Sequence, residues 1–155
     1  MPVIEVNDIE ICFESFGPQD APPLLLVMGL GAQMTVWSPG FISELLERGF
    51  RVIRFDNRDV GLSTKTVGDP PDVMTLYTQV MAAQPVEAPY NLSTMAADAV
   101  GLLDALGISA AHIVGASMGG MIAQLILTAH PERVRSCTIL YSCPGPGTAI
   151  GRRVI

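Results

Sequence analysis

Between Asp104 and Glu132 the chain carries no Asp, Glu, Lys or Arg. About 20 apolar residues suffice to cross a bilayer, so this stretch decides between a membrane span and a buried core. His112, Ser117, Gln124 and several glycines interrupt it. Its first half, around residues 111–114, has the length of a fully buried strand. Its second half, residues 118–129, has the length of a helix. The stretch therefore reads as a strand and a helix inside an α/β core, with no membrane span.

The rest of the chain supplies elements to match. Residues 3–6 and 9–15 read as two short strands around an Asn7-Asp8 turn. Residues 24–28 form a continuous apolar run, a buried strand that ends in Gly29-Leu30-Gly31. Phe41, Ile42, Leu45 and Leu46 have helical spacing, with Gly49 as the C-terminal cap, and residues 51–55 form the next strand. Prolines break residues 64–90, leaving room for a short helix over 73–83. Asn91 or Ser93 caps a longer helix with apolar positions Met95, Ala99, Leu102, Leu103 and Leu106, closed by Gly107. Residues 137–141 read as a last strand. This alternation predicts an α/β fold, a mainly parallel sheet entered through an antiparallel hairpin.

The 155 residues are enough for one domain, and 49% hydrophobic against 15% charged residues excludes a disordered chain. Nine Lys and Arg against fifteen Asp and Glu, with no basic block, argue against nucleic-acid binding. Cys12, Cys137 and Cys143 make no disulfide framework and lack CxxC spacing, so no metal site is expected. The first residues show no charged start followed by an apolar core, and a cytoplasmic location is the expectation.

Three motifs carry chemistry. Gly115-Ala116-Ser117-Met118-Gly119 is a GxSxG placed between strand and helix, which is the context of a nucleophile elbow. The turn is so tight that a side chain at Gly115 or Gly119 is expected to clash, and it lifts the Ser117 hydroxyl above the sheet. The bland alternative is an ordinary glycine-rich βα turn. A serine nucleophile also needs two N–H donors for the oxyanion. Met118 follows the serine, and Leu30 lies in the glycine turn after an earlier strand with Gly29 and Gly31 on either side. The third motif runs from Asp56 through Asn57, Arg58 and Asp59 to Ser63. Asp56 reads either as a catalytic acid or as a structural group. The structural reading is preferred, with the Asp56 carboxylate, Arg58 guanidinium and Ser63 hydroxyl bonding one another beside the site.

The segments LLLVMGLGAQMTVW, GFRVIRFDNRDVGLSTK, MAADAVGLLDALGI and HIVGASMGGMIAQ, in this order, resemble the α/β-hydrolase superfamily over essentially the whole chain. Most members have His-Gly where Met28-Gly29 stands and Gly where Asp59 stands. Those departures resemble a subgroup of bacterial serine esterases and lipases, the aclacinomycin methylesterase-like enzymes. The resemblance implies a small-molecule ester substrate and no cofactor, with Ser117 as nucleophile and Leu30 and Met118 N–H groups as the oxyanion hole. Other serine hydrolase activities (peptidase, thioesterase, perhydrolase) and a non-catalytic ligand-binding member remain as alternatives.

A serine nucleophile needs a base, and the superfamily order is Ser, then Asp or Glu, then His. After Ser117 come only His130 and Glu132, in the reverse order. His130 stands at the far end of the helix, roughly 20 Å away at ~1.5 Å per residue. His112 lies near the start of the preceding strand, roughly 16 Å below at ~3.3 Å per residue. A base works at ~2.6–3.2 Å, so neither serves. Residues 1–155 are thus expected to be the N-terminal part of a single hydrolase domain, truncated after about the sixth strand, without its cap and C-terminal strands. The missing part or a second chain is expected to pair with the last strand, and the 155 residues alone are expected to be inactive.

Overall fold

The computed structural model describes residues 1–69, 72–86 and 88–144. Strands β1 (Val3–Val6) and β2 (Ile9–Phe16) form the expected hairpin, with Asn7 in the left-handed region at φ 53°. Then come β3 (Pro23–Val27), α1 (Pro39–Glu47), β4 (Arg51–Phe55), α2 (Val73–Met81), α3 (Leu92–Ala105), β5 (Ala111–Ala116), α4 (Met118–Ala129) and β6 (Val134–Leu140). The six strands lie in the order β1-β2-β4-β3-β5-β6. The pairs β1/β2 and β2/β4 are antiparallel, and β4/β3, β3/β5 and β5/β6 are parallel.

Local chemistry sets the helix ends. The Ser38 hydroxyl accepts from the Phe41 N–H at 3.3 Å, and Pro39 opens α1. Asn91 and Thr94 form a reciprocal capping box at the start of α3. Gly49 and Gly107 take positive φ of 81° and 68° just past α1 and α3.

The continuous apolar run of β3 has a simple origin. Successive strand residues point to opposite faces, and both faces here are covered. Leu25 and Val27 join Ile113, Phe55, Leu102, Leu103 and Ile122 beneath α3 and α4. Leu24, Leu26 and Met28 join Trp37, Ile42, Val52 and Val114 on the α1 side. β5 lies between β3 and β6. Its position explains the missing charges, as does α4, which buries Ile122, Ala123 and Ile126. Among the described residues no helix is long and apolar enough to cross a membrane.

Two expected boundaries shift. The last strand starts earlier and stops at Leu140, and Tyr141 turns out of the ladder at φ 38°. β5 runs on to Ala116 because Gly115 and Ala116 still pair with Ile139 and Leu140.

Candidate active site

Ser117 stands at the junction of β5 and α4 with φ 55° and ψ −123°. That is a conformation L residues avoid, at a cost of about 1–3 kcal/mol. Its side chain is exposed and makes no capping bond to α4. Its N–H donates to the Leu140 carbonyl at 3.0 Å, and its carbonyl accepts from the Gly120 N–H at 2.9 Å. The hydroxyl thus projects above the C-terminal edge of the parallel strands, at the positive end of the α4 dipole.

The glycines around it are forced by contact. A β-carbon on Gly115 would stand 2.2 Å from the Gly119 carbonyl oxygen, as the tight turn demands. A β-carbon on Gly119 would meet the Val27 carbonyl oxygen of β3 at 2.1 Å, so its crowding comes from the neighbouring strand. Gly29 packs directly on the serine, its virtual β-carbon being 2.9 Å from Ser117 Cβ. Gly31 has open space around it but a φ of 66°, so its demand is conformational.

Leu30, between these glycines, is 82% exposed. Leu30, Gly31 and Met118, the residue after Ser117, share the wall of one cavity of about 360 Å³. Among the described residues neither the Leu30 nor the Met118 N–H donates a hydrogen bond. These are the two N–H groups expected from the sequence to face an oxyanion.

Asp56 is buried, and its partners differ from those expected. Its carboxylate accepts the Met34 N–H at 2.7 Å and the Leu62 N–H at 3.1 Å. The Ser63 hydroxyl donates to the Asp56 backbone carbonyl at 2.6 Å and accepts the Cys12 N–H at 2.9 Å. Arg58 bonds neither of them. Its Nε and Nη2 donate to the two oxygens of Asp98 on α3 at 2.6 and 2.8 Å, an ion pair buried on both sides. Hydrogen bonding to Asp98 raises the Arg58 guanidinium beyond its usual range. The expected three-way cluster is corrected on this point: Asp56 is satisfied by main-chain donors, which leaves Arg58 free to reach α3.

Three residues to which the sequence assigned no role complete the arrangement. Asn57 is buried and donates to the Met28 carbonyl at 3.0 Å, tying the β4 loop to the β3 loop. Asp98 was legible as a charge on the stripe of Met95, Ala99 and Leu102, a spacing that faces the core. Tyr90 stacks on the Arg58 guanidinium at 5.1 Å, and its hydroxyl helps stabilise the Asp59 carboxylate. Asp59 sits at φ 66° and also accepts the Thr66 N–H and hydroxyl, at 2.5 and 2.9 Å. Partial desolvation pulls the Asp59 carboxyl up, but the bonds from Tyr90 and Thr66 outweigh it and hold it below the usual carboxylate range. Burial, with the Asp59 hydrogen bond, pushes Tyr90 up to about 12.

Neither histidine meets the serine. His112 Nδ1 pairs with the Ser136 hydroxyl at 2.8 Å, and His130 caps the C-terminal end of α4, 3.8 Å from Glu132. Among the described residues no three of His, Cys, Asp and Glu gather as metal ligands.

Residues 22–152 match the family model described as alpha/beta hydrolase fold. The chain belongs to that family. The alpha/beta hydrolase chain is 34% identical over 143 residues to rhodomycin D methylesterase DnrP of Streptomyces peucetius, covering 90% of this chain and 42% of that protein. It is 31% identical over 138 residues to rhodomycin D methylesterase DauP of Streptomyces sp. strain C5, covering 89% and 41%. Among solved structures it is similar to the enol-lactonase from Burkholderia xenovorans LB400, with TM-score 0.67 and 27% identity over 88% of this chain and 45% of that one. A hydrolase from Pseudomonas aeruginosa PA01 matches with TM-score 0.73 and 26% identity over 94% and 48%. The chain spans less than half the length of these relatives.

Proposed function

We propose that these residues form the nucleophile half of a serine hydrolase that cleaves carboxylic esters. The observation that carries the reading is the exposed Ser117 at φ 55°, with the Gly29 backbone pressed against it and the Leu30 turn beside it. The Ser117 oxygen attacks the ester carbonyl carbon, and the carbonyl electron pair moves to the oxygen. The Leu30 and Met118 N–H groups hold that oxyanion, each worth ~2.7–4 kcal/mol in such holes. The serine proton passes to a base, which returns it to the departing alkoxide as the C–O bond breaks. Water then attacks the acyl carbon and releases the acid. The two methylesterase relatives support an ester over other acyl substrates.

The base and its orienting carboxylate come from outside these residues, since His112 and His130 are engaged elsewhere. The same outside segment, or a second chain, pairs with the open edge of β6. The test is hydrolysis of a p-nitrophenyl ester. Residues 1–155 alone stay at background. Joined to the remaining half of the protein they hydrolyse it, and Ser117→Ala abolishes the reaction. Hydrolysis unchanged in Ser117→Ala overturns the assignment.

A further inference from the structure

Arg48, Arg54, Arg58 and Arg133 each hold a carboxylate at 2.6 Å, from Glu44, Glu14, Asp98 and Asp104. Arg51 and Arg135 form no ion pair among the described residues. These two line one cavity of about 190 Å³, together with Gln19, Asp20 and Ser109. It opens at the starts of β3 and β4 and at the loop before β5. Ser117 follows the other end of β5, roughly 20 Å away at ~3.3 Å per residue. The cavity is therefore separate from the candidate active site.

The fold brings the two arginines to it from either side. Arg51 opens β4 and Arg135 lies in β6, with β3 and β5 between them. At ~4.8 Å per strand their backbones stand roughly 14 Å apart, a gap that two long side chains can close over the strand starts. Arg51 is half-buried, and its Nε donates to the Ser15 hydroxyl at 3.1 Å, which anchors the guanidinium. Arg135 is exposed and is the extra residue of a bulge: Val134 and Ser136 pair with the adjacent Ala111 and His112. A bulge takes its residue out of the strand's alternation and re-aims the side chain.

The charge balance of the wall says what it can hold. The Ser109 and Ile108 carbonyls are taken by Arg133 at 2.7 and 3.0 Å. Two guanidinium groups then face one carboxylate, Asp20, which leaves one net positive charge. Two cations on one concave wall repel each other, and a bound anion offsets that repulsion. A carboxylate brings one negative charge and accepts two parallel N–H bonds from a guanidinium fork. A dianion would leave excess negative charge in a chain whose net charge is already −6. At about 190 Å³ the cavity is below the ~300–1,000 Å³ of drug-sized sites, so the acid must be short.

We propose that the cavity between Arg51 and Arg135 binds the carboxylate of a short-chain acid, at the edge of the sheet opposite Ser117. The site stands independently of the reading of Ser117 as nucleophile.

The experiment is an NMR titration of the full chain labelled with 15N, using sodium acetate, sodium phosphate and sodium chloride at matched ionic strength and pH 7. Acetate is expected to shift the Arg51 and Arg135 Nε–H signals and the Ser109 amide along one saturating curve, with the Met118 amide unmoved. Phosphate is expected to bind more weakly, and chloride to give no saturating shift. Arg135→Gln, a change at an exposed side chain, is expected to weaken acetate about tenfold through the loss of a charged donor. Asp20→Asn removes the opposing carboxylate and is expected to tighten it. If Arg135→Gln does not fold, Asp20→Asn and the three salts on the unaltered chain decide. Equal shifts with chloride, tighter binding of phosphate, or an unchanged acetate affinity in Arg135→Gln or in Asp20→Asn each overturns the proposal.

Discussion

Gly29 and Ser117 touch across two loops: a β-carbon on Gly29 would stand 2.9 Å from the serine Cβ and 3.4 Å from its Oγ. Gly29 has an ordinary φ, so the demand on it is steric alone. Gly29→Ala is therefore expected to leave the fold intact and displace the hydroxyl. A misplacement of ~1 Å costs about 10²-fold in rate. The check is ester hydrolysis alongside circular dichroism, in the protein complete with its base. Full activity in a folded Gly29→Ala would mean that the serine is not held where this contact places it.

Ser117 holds a backbone conformation suited to glycine. Ser117→Gly relieves about 1–3 kcal/mol of strain and gives back ~0.5–1 kcal/mol through greater freedom of the unfolded chain. The net expectation is a gain of about 1 kcal/mol, a rise in Tm of roughly 2–4 °C for a chain of this size. Ser117→Ala keeps the strain and is expected to show no such rise. Thermal melts of the two variants check this, and a Tm for Ser117→Gly below that of Ser117→Ala would contradict it.

The pair of Arg58 and Asp98 is buried and bonded twice. Removing one partner strands the other charge, which costs about 3–5 kcal/mol. Asp98→Asn and Arg58→Met are each expected to destabilise by that order in urea unfolding. The double variant Arg58→Met with Asp98→Leu removes both charges and is expected to recover most of the loss. Additive losses in the double variant would mean that the two residues do not act as a pair.

Tyr90 carries a pH signature. Its folded pKa is raised to about 12 from an ordinary value of ~10. A group with a raised folded pKa contributes stability in full below its unfolded pKa and loses it as pH rises through the folded one. Stability should thus decline between about pH 10 and 12 through this hydroxyl. Tyr90→Phe removes that share of the slope, and melting temperatures of both proteins across this window test it. Parallel curves would rule Tyr90 out as the source.

Much of this architecture was legible because it is written in local patterns. The caps Asn91, Gly49 and Gly107, the two-sided burial of β3 and the strand–turn–helix around Ser117 all follow from neighbours in sequence. What was not legible depends on long-range partners. Arg58 was expected to bond Asp56, two residues away, but finds Asp98 at a separation of 40. Asp56 had main-chain donors from Met34 and Leu62, and no residue type announces a backbone N–H. The start of β6 was missed because Arg135 and Ser136 are polar and exposed, although Val134 and Ser136 pair with Ala111 and His112 around a bulge at Arg135.

The hydrogen bond from the Ser117 N–H to the Leu140 carbonyl fastens the elbow to the end of β6. Close by, Gly120 abuts Ser142, and the Gln124 amide donates to the Cys143 carbonyl at 3.2 Å. Residues 140–143 therefore act as a clasp over the first turns of α4. For anyone dividing this polypeptide into complementing pieces, or inserting a reporter, the cut belongs downstream of Cys143. A break any earlier would unfasten the serine along with the strand.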